Sequence, residues 1–129
     1  MPHYLLFMVI LFDLDDTLVD SNSAHIYAIN KICQKHFLIE KEESKQIVQN
    51  WISIRNKNLQ LYFEGKISLV QHRLNSIIEF WNINNIEISR DDAQKVYRQY
   101  HLLLLQSCKK FPDVLPNINR IKKQPIRVC

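Results

Sequence analysis

The hydrophobic pattern of this chain changes period once. Tyr4 to Phe12 is almost wholly apolar, and Asp13 ends the run abruptly. A short continuous apolar run with β-branched Val9 and Ile10 predicts a strand buried on both faces. From Ile26 onward the apolar positions recur every three or four residues, the period of helices that bury one face.

Four such stripes are legible. The first holds Ile26, Ile29, Ile32, Cys33 and Phe37, with Asp20, Ser21, Asn22 or Ser23 as its N-cap. The second holds Ile47, Val48, Trp51, Ile52, Arg55, Leu59 and Tyr62. It stops at Glu64-Gly65-Lys66, with glycine where a helix ends. "SLVQ" from Ser68 reads as a capping box and opens a third stripe of Val70, Leu74, Ile77, Ile78 and Trp81. "NINN" at 82–85 breaks it. "SRDD" from Ser89 caps the fourth, which carries Ala93, Val96, Tyr97, Tyr100, Leu103 and Leu104. Asp91 and Asp92 at its start, and Lys109 and Lys110 at its end, suit the helix dipole. Four amphipathic helices with short connections predict a bundle. Trp51, Trp81, Tyr97 and Tyr100 fall on the apolar faces and read as core.

Pro112 closes the helical region. "DVLPNINRIKK" predicts a turn and a short helix, Pro116 to Lys123, and "PIRVC" has the alternation of a second strand. The order is strand, acidic loop, helical insert, helix, strand. It predicts a βαβ unit with a bundle inserted after its first strand. The expected division is 1–19 for the first core strand and loop, 20–110 for the helical insert, and 111–129 for the return to the core.

Composition narrows the class. Of 129 residues, 47% are hydrophobic and 23% charged, which is a globular balance. Gly65 is the one glycine, which argues against a loop-rich all-β protein. The net charge of +4 is local: Lys109, Lys110, Arg120, Lys122, Lys123 and Arg127 against Asp113 give +5 from residue 109 on, which leaves residues 1–108 at −1. Confinement to one end favours a solvated helix face over a nucleic-acid surface. Cys33, Cys108 and Cys129 are odd in number and widely spaced, so neither a disulfide framework nor a zinc site is expected; reduced thiols suit a cytoplasmic protein. The apolar N-terminus lacks the preceding Lys or Arg and the small-residue cleavage site of a leader, and falls short of the ~20 residues that span a bilayer.

The chemistry lies in "ILFDLDDTLVD", Ile10 to Asp20. Asp13 and Asp15 are two residues apart in an extended stretch leaving a strand, so their side chains start on the same face. The C-terminal end of a parallel strand is where α/β folds bind ligands. Two crowded carboxylates call for a cation or a shared proton, and Mg²⁺ with its oxygen ligands meets that need. A carboxylate facing a phosphate is a competent nucleophile, and a second carboxyl two residues on can act as acid and base. The residues alone leave a second reading open, in which these Asp residues form a turn and a helix cap. The missing central Gly and distal Glu argue against a calcium loop.

This stretch resembles the first signature of the haloacid dehalogenase-like hydrolases: a hydrophobic strand, then D-x-D-x-T-L. The helical insert resembles that family's four-helix cap, as found in phosphoglycolate phosphatase-like and nucleotidase-like members, and "FPDVLPNINRIKK" resembles the segment leading back to the core. The resemblance implies an α/β fold: the N-terminal part of a Rossmann-like core, mostly helical overall, with an inserted cap. It implies that Asp13 is a nucleophile that forms an aspartyl-phosphate and binds Mg²⁺. Asp15 matches the acid/base, with its backbone carbonyl a metal ligand, and Thr17 the residue that steadies the loop. Asp16 stands where many members have Gly. The implied substrate is a small phosphorylated metabolite.

The family's later Ser or Thr for the phosphoryl group, its Lys and its acidic pair have no counterparts in these residues. The expectation is therefore an N-terminal fragment of a Mg²⁺-dependent phosphatase, inactive alone, because phosphoryl transfer leans on such electrostatic clamping. The alternative is a non-catalytic helical module, a binding or regulatory surface with a vestigial loop.

Overall fold

The computed structural model describes residues 9–37, 44–123 and 127–128. Residues 4–8 of the expected first strand, and Pro125, Ile126 and Cys129 of the second, lie outside them. The element order is β1 (Val9–Ile10), α1 (Ser21–His36), α2 (Ser44–Phe63), α3 (Leu69–Ile83), α4 (Arg90–Ser107), α5 (Val114–Lys122) and β2 (Arg127–Val128). The chain is mostly helical. β1 and β2 pair in parallel, Val9 with Arg127 and Ile10 with Val128, so the first and last elements of the chain are neighbours.

Two compact units result: Met1–Ser23 with Cys108–Cys129, and Ala24–Ser107. In the second, the helix boundaries follow from local chemistry. α2 ends in a Schellman motif: Lys66 N–H reaches Leu61 O at 2.9 Å, Gly65 N–H reaches Tyr62 O at 2.9 Å, and Gly65 has φ +71°. α3 ends the same way on Asn85, at φ +60°, with Ile86 N–H on Trp81 O at 3.1 Å and Asn85 N–H on Asn82 O at 3.0 Å. At its start, Gln71 N–H donates to Ser68 Oγ at 3.1 Å and Ser68 N–H to Gln71 Oε1 at 2.8 Å, the expected capping box. Ser89 Oγ accepts from Asp92 N–H at 3.1 Å and caps α4.

The core of this unit joins Ala28, Ile29, Ile32 and Cys33 of α1 to Val48 and Trp51 of α2, Leu74, Ile77, Phe80 and Trp81 of α3, and Ala93, Val96 and Tyr100 of α4. Trp51 packs edge-on against both Phe80 and Tyr100, with centroids 5.4 and 5.0 Å apart. The Tyr100 oxygen accepts from Trp51 Nε1–H at 3.3 Å and also meets His25 Nδ1. An indole only donates, so the Tyr100 oxygen is the acceptor of that bond and joins Trp51 to His25 through one hydroxyl. Tyr97 is half-buried, with the Arg73 guanidinium 5.5 Å from its ring centroid. These aromatics are core, as their spacing predicts.

In the first unit, α5 starts at Val114, two residues before the expected Pro116. Pro116 sits third in the helix, where the missing N–H is unpaired in any case. Val114, Ile118 and Ile121 face inward, while Arg120, Lys122 and Lys123 are exposed.

Candidate active site

Beyond Ile10 the backbone leaves the sheet and turns on itself at Asp16. Leu18 N–H and Val19 N–H both reach Leu14 O, at 3.0 and 3.1 Å, and Asp16 N–H reaches Val19 O at 2.8 Å. Asp16 has φ +56°, the left-handed region. Glycine enters it freely and Asp tolerates it better than most residues, which accounts for an Asp at a position where Gly is also at home. Asp20 N–H then bonds Lys109 O at 2.8 Å, and Phe111 N–H bonds Leu18 O at 3.2 Å, fastening the turn to the segment that precedes α5.

The four aspartates of this stretch divide into two kinds. Asp20 Oδ1 accepts from Ser23 N–H at 3.0 Å, the N-cap bond of α1. Asp16 Oδ1 accepts from Ser21 Oγ and from Asn22 N–H, each at 2.9 Å. Both carboxylates thus lie at the positive end of the helix dipole. Of the expected N-cap residues of α1, the cap bond belongs to Asp20, assisted by Asp16, and not to Ser21, Asn22 or Ser23. The second kind is Asp13 and Asp15. Both are exposed, and among the described residues neither carboxylate has a hydrogen-bond or ion-pair partner. Thr17 is exposed too, with no side-chain hydrogen bond among them; the Leu14 carbonyl and Asp16 hold the turn instead.

Asp13 and Asp15 offer oxygen donors with no cationic side chain among the described residues against them, a set that suits a hard divalent ion. Among the described residues no group of three or more His, Cys, Asp or Glu could hold a metal ion. Of the thiols, burial pushes Cys33 up to about 12, which makes it a core residue rather than a nucleophile. The sequence reading missed Asp16's structural role. Its one local signal was the Ser21 hydroxyl, five residues on and within reach of a turn carboxylate; the second bond comes from the Asn22 backbone N–H, which carries no residue signature.

The family model described as haloacid dehalogenase-like hydrolase matches residues 7–129. No curated protein sequence matches the chain. Among solved structures, the chain is similar to YfnB from Bacillus subtilis, described as a HAD-hydrolase and crystallised bound to magnesium, with a TM-score of 0.77 at 16% identity. The likeness covers 95% of this chain and 50% of that one, so the chain spans about half the length of the structure it matches. Among the described residues no helix is long and apolar enough to cross a membrane.

Proposed function

The chain belongs to the haloacid dehalogenase-like hydrolases, and from that premise we propose that its acidic loop is the nucleophile loop of a phosphatase acting on small phosphate esters. The observation that carries the proposal is the division among the aspartates. Asp16 and Asp20 are engaged at the start of α1, while Asp13 and Asp15, at the nucleophile and acid/base positions, are exposed and have no side-chain partner among the described residues. A turn-and-cap role accounts for the first pair and leaves the second unexplained.

In this reading an Asp13 carboxylate oxygen attacks phosphorus, and the bond from phosphorus to the ester oxygen breaks. The Asp15 carboxyl gives its proton to the departing alkoxide. Asp15, now a carboxylate, takes a proton from the water that attacks the aspartyl-phosphate. The bond to Asp13 breaks and phosphate leaves. Asp13 and the Asp15 backbone carbonyl are the ligands assigned to Mg²⁺, which when bound would offset the crowded negative charge of carboxylate and phosphate. The helical unit is assigned the cap's role of selecting substrate.

We expect the 129 residues alone to show no turnover. Phosphoryl transfer depends on clamped charge, and removing a single preorganised donor costs on the order of 10²–10³ in rate. The test uses p-nitrophenyl phosphate with a panel of sugar and nucleoside phosphates, in Mg²⁺ and in EDTA. A longer relative sharing the Ile10–Asp20 loop should hydrolyse one of them only with Mg²⁺, and lose activity when the Asp matching Asp13 becomes Asn. Absence of phosphatase activity there would overturn the reading. Mg²⁺-dependent turnover by this chain, lost in Asp13→Asn, would overturn only its expected inactivity.

A further inference from the structure

We propose that Asp16 is a positioning residue for the loop, fixing the direction of the Asp15 carbonyl and tying the turn to the first turn of α1. The inference rests on the phosphatase reading above for its functional meaning, and on geometry for its substance. Residue 16 is held from both ends. Its backbone N–H bonds Val19 O at 2.8 Å, and its carboxylate bonds Ser21 Oγ and Asn22 N–H at 2.9 Å each. The peptide joining Asp15 to Asp16 is planar and trans, so its C=O points opposite to its N–H. With that N–H aimed at Val19, the Asp15 carbonyl faces away from the turn.

The left-handed backbone at Asp16 makes this possible. At φ +56° a residue with an ordinary Cβ is strained, glycine is at ease, and Asp or Asn is tolerated. Glycine would allow the turn but could not reach Ser21 and Asn22. Asp does both. Asp20, whose side chain among the described residues bonds Ser23 N–H alone, at 3.0 Å, caps the helix without entering the turn. A residue serving merely as a helix cap would leave the Leu18 and Val19 amides, both on Leu14 O, indifferent to its replacement.

Amide hydrogen exchange on the whole chain separates these roles. Asp16→Ala should speed exchange about tenfold at Leu18, Val19 and Asn22 together, from loss of cap and backbone strain combined. Asp16→Gly should speed Asn22 alone, and Asp16→Asn, which keeps an acceptor oxygen and tolerates positive φ, should stay near wild type. If Asp16→Ala speeds Asn22 while Leu18 and Val19 keep their rates, Asp16 is a cap only and the proposal fails. If Asp16→Ala does not fold, an unchanged Asn22 rate in Asp16→Gly overturns it equally. The functional arm follows the Asp13 and Asp15 carboxyl carbons by NMR during Mg²⁺ titration. Asp16→Ala should weaken the response about tenfold, Asp16→Asn should restore it, and Ser89→Ala, a cap loss in the other unit, should leave it intact. An Asp16→Ala response equal to wild type overturns the positioning role. A wild type that ignores Mg²⁺ would instead count against the magnesium reading, and the exchange rates would still decide on Asp16.

Discussion

The two units are held by different means. Ala24–Ser107 buries a continuous aromatic and aliphatic core, with Trp51, Ile29, Ile77 and Phe80 at 0% exposure. In the other unit, Val114 is the one buried apolar residue among those whose burial is described, while Leu11 is 81% and Leu14 60% exposed. Its loop is shaped by hydrogen bonds to Leu14 O, Val19 O and the Asp16 carboxylate. A two-strand parallel pair is too small to be stable by itself. Stability therefore resides in the helical unit, and the proposed nucleophile loop is a strand-end turn that its own hydrogen bonds keep in shape.

The largest break of this contrast comes from the helical core. Trp51→Ala removes a fully buried ring that touches Phe80 and Tyr100, and should cost ~3–5 kcal/mol. That is much of the stability of an ordinary domain, so loss of cooperative helix unfolding by circular dichroism is the expected result. Leu14→Ser, at an exposed position of the loop, should change stability by less than about 0.5 kcal/mol. Comparable losses from the two would mean that the loop unit has a core after all.

A smaller effect sharpens the same point through pH. Burial pushes the Tyr100 phenol from its ordinary 10.0 up to about 12, despite the opposing Trp51 hydrogen bond. The folded state thus prefers the neutral phenol. The stability from this preference is fully present below pH 10 and is lost as pH rises towards 12, by roughly 2–3 kcal/mol. Cys33, raised by burial from 9.0 to about 12, acts in the same direction. Urea midpoints across that range should fall for wild type and fall less for Tyr100→Phe. An equal slope in the variant would contradict the assignment.

Much of the helical unit is legible in the sequence because its signals are local. Ser68 and Gln71 are three residues apart, as are Ser89 and Asp92; Gly65 and Asn85 stand where left-handed residues end helices. The aromatic core follows from helical periodicity alone. What escaped reading was set by longer reach. The carboxylate assisting the start of α1 comes from Asp16, five and six residues before its partners, across a turn. The Tyr100–His25 bond joins residues 75 apart. Pro116 suggested a helix start because proline is at home there, yet the helix begins at Val114 because its third position accepts proline as well. In the loop, the D-x-D spacing marked Asp13 and Asp15 but could not tell them from Asp16 and Asp20, since all four are acidic residues near a helix start. Only hydrogen bonds separate the pairs.

That separation is the central claim, and chemical denaturation of four single variants, read at loop amides, tests it most directly. Asp16→Ala and Asp20→Ala should each destabilise the loop and the start of α1 by about 1 kcal/mol, through loss of cap bonds. Asp13→Asn and Asp15→Asn should leave stability unchanged or raise it slightly, because each relieves repulsion and breaks no bond to a described residue. Destabilisation by Asp13→Asn and Asp15→Asn equal to that of the other two would contradict the account and make all four aspartates structural.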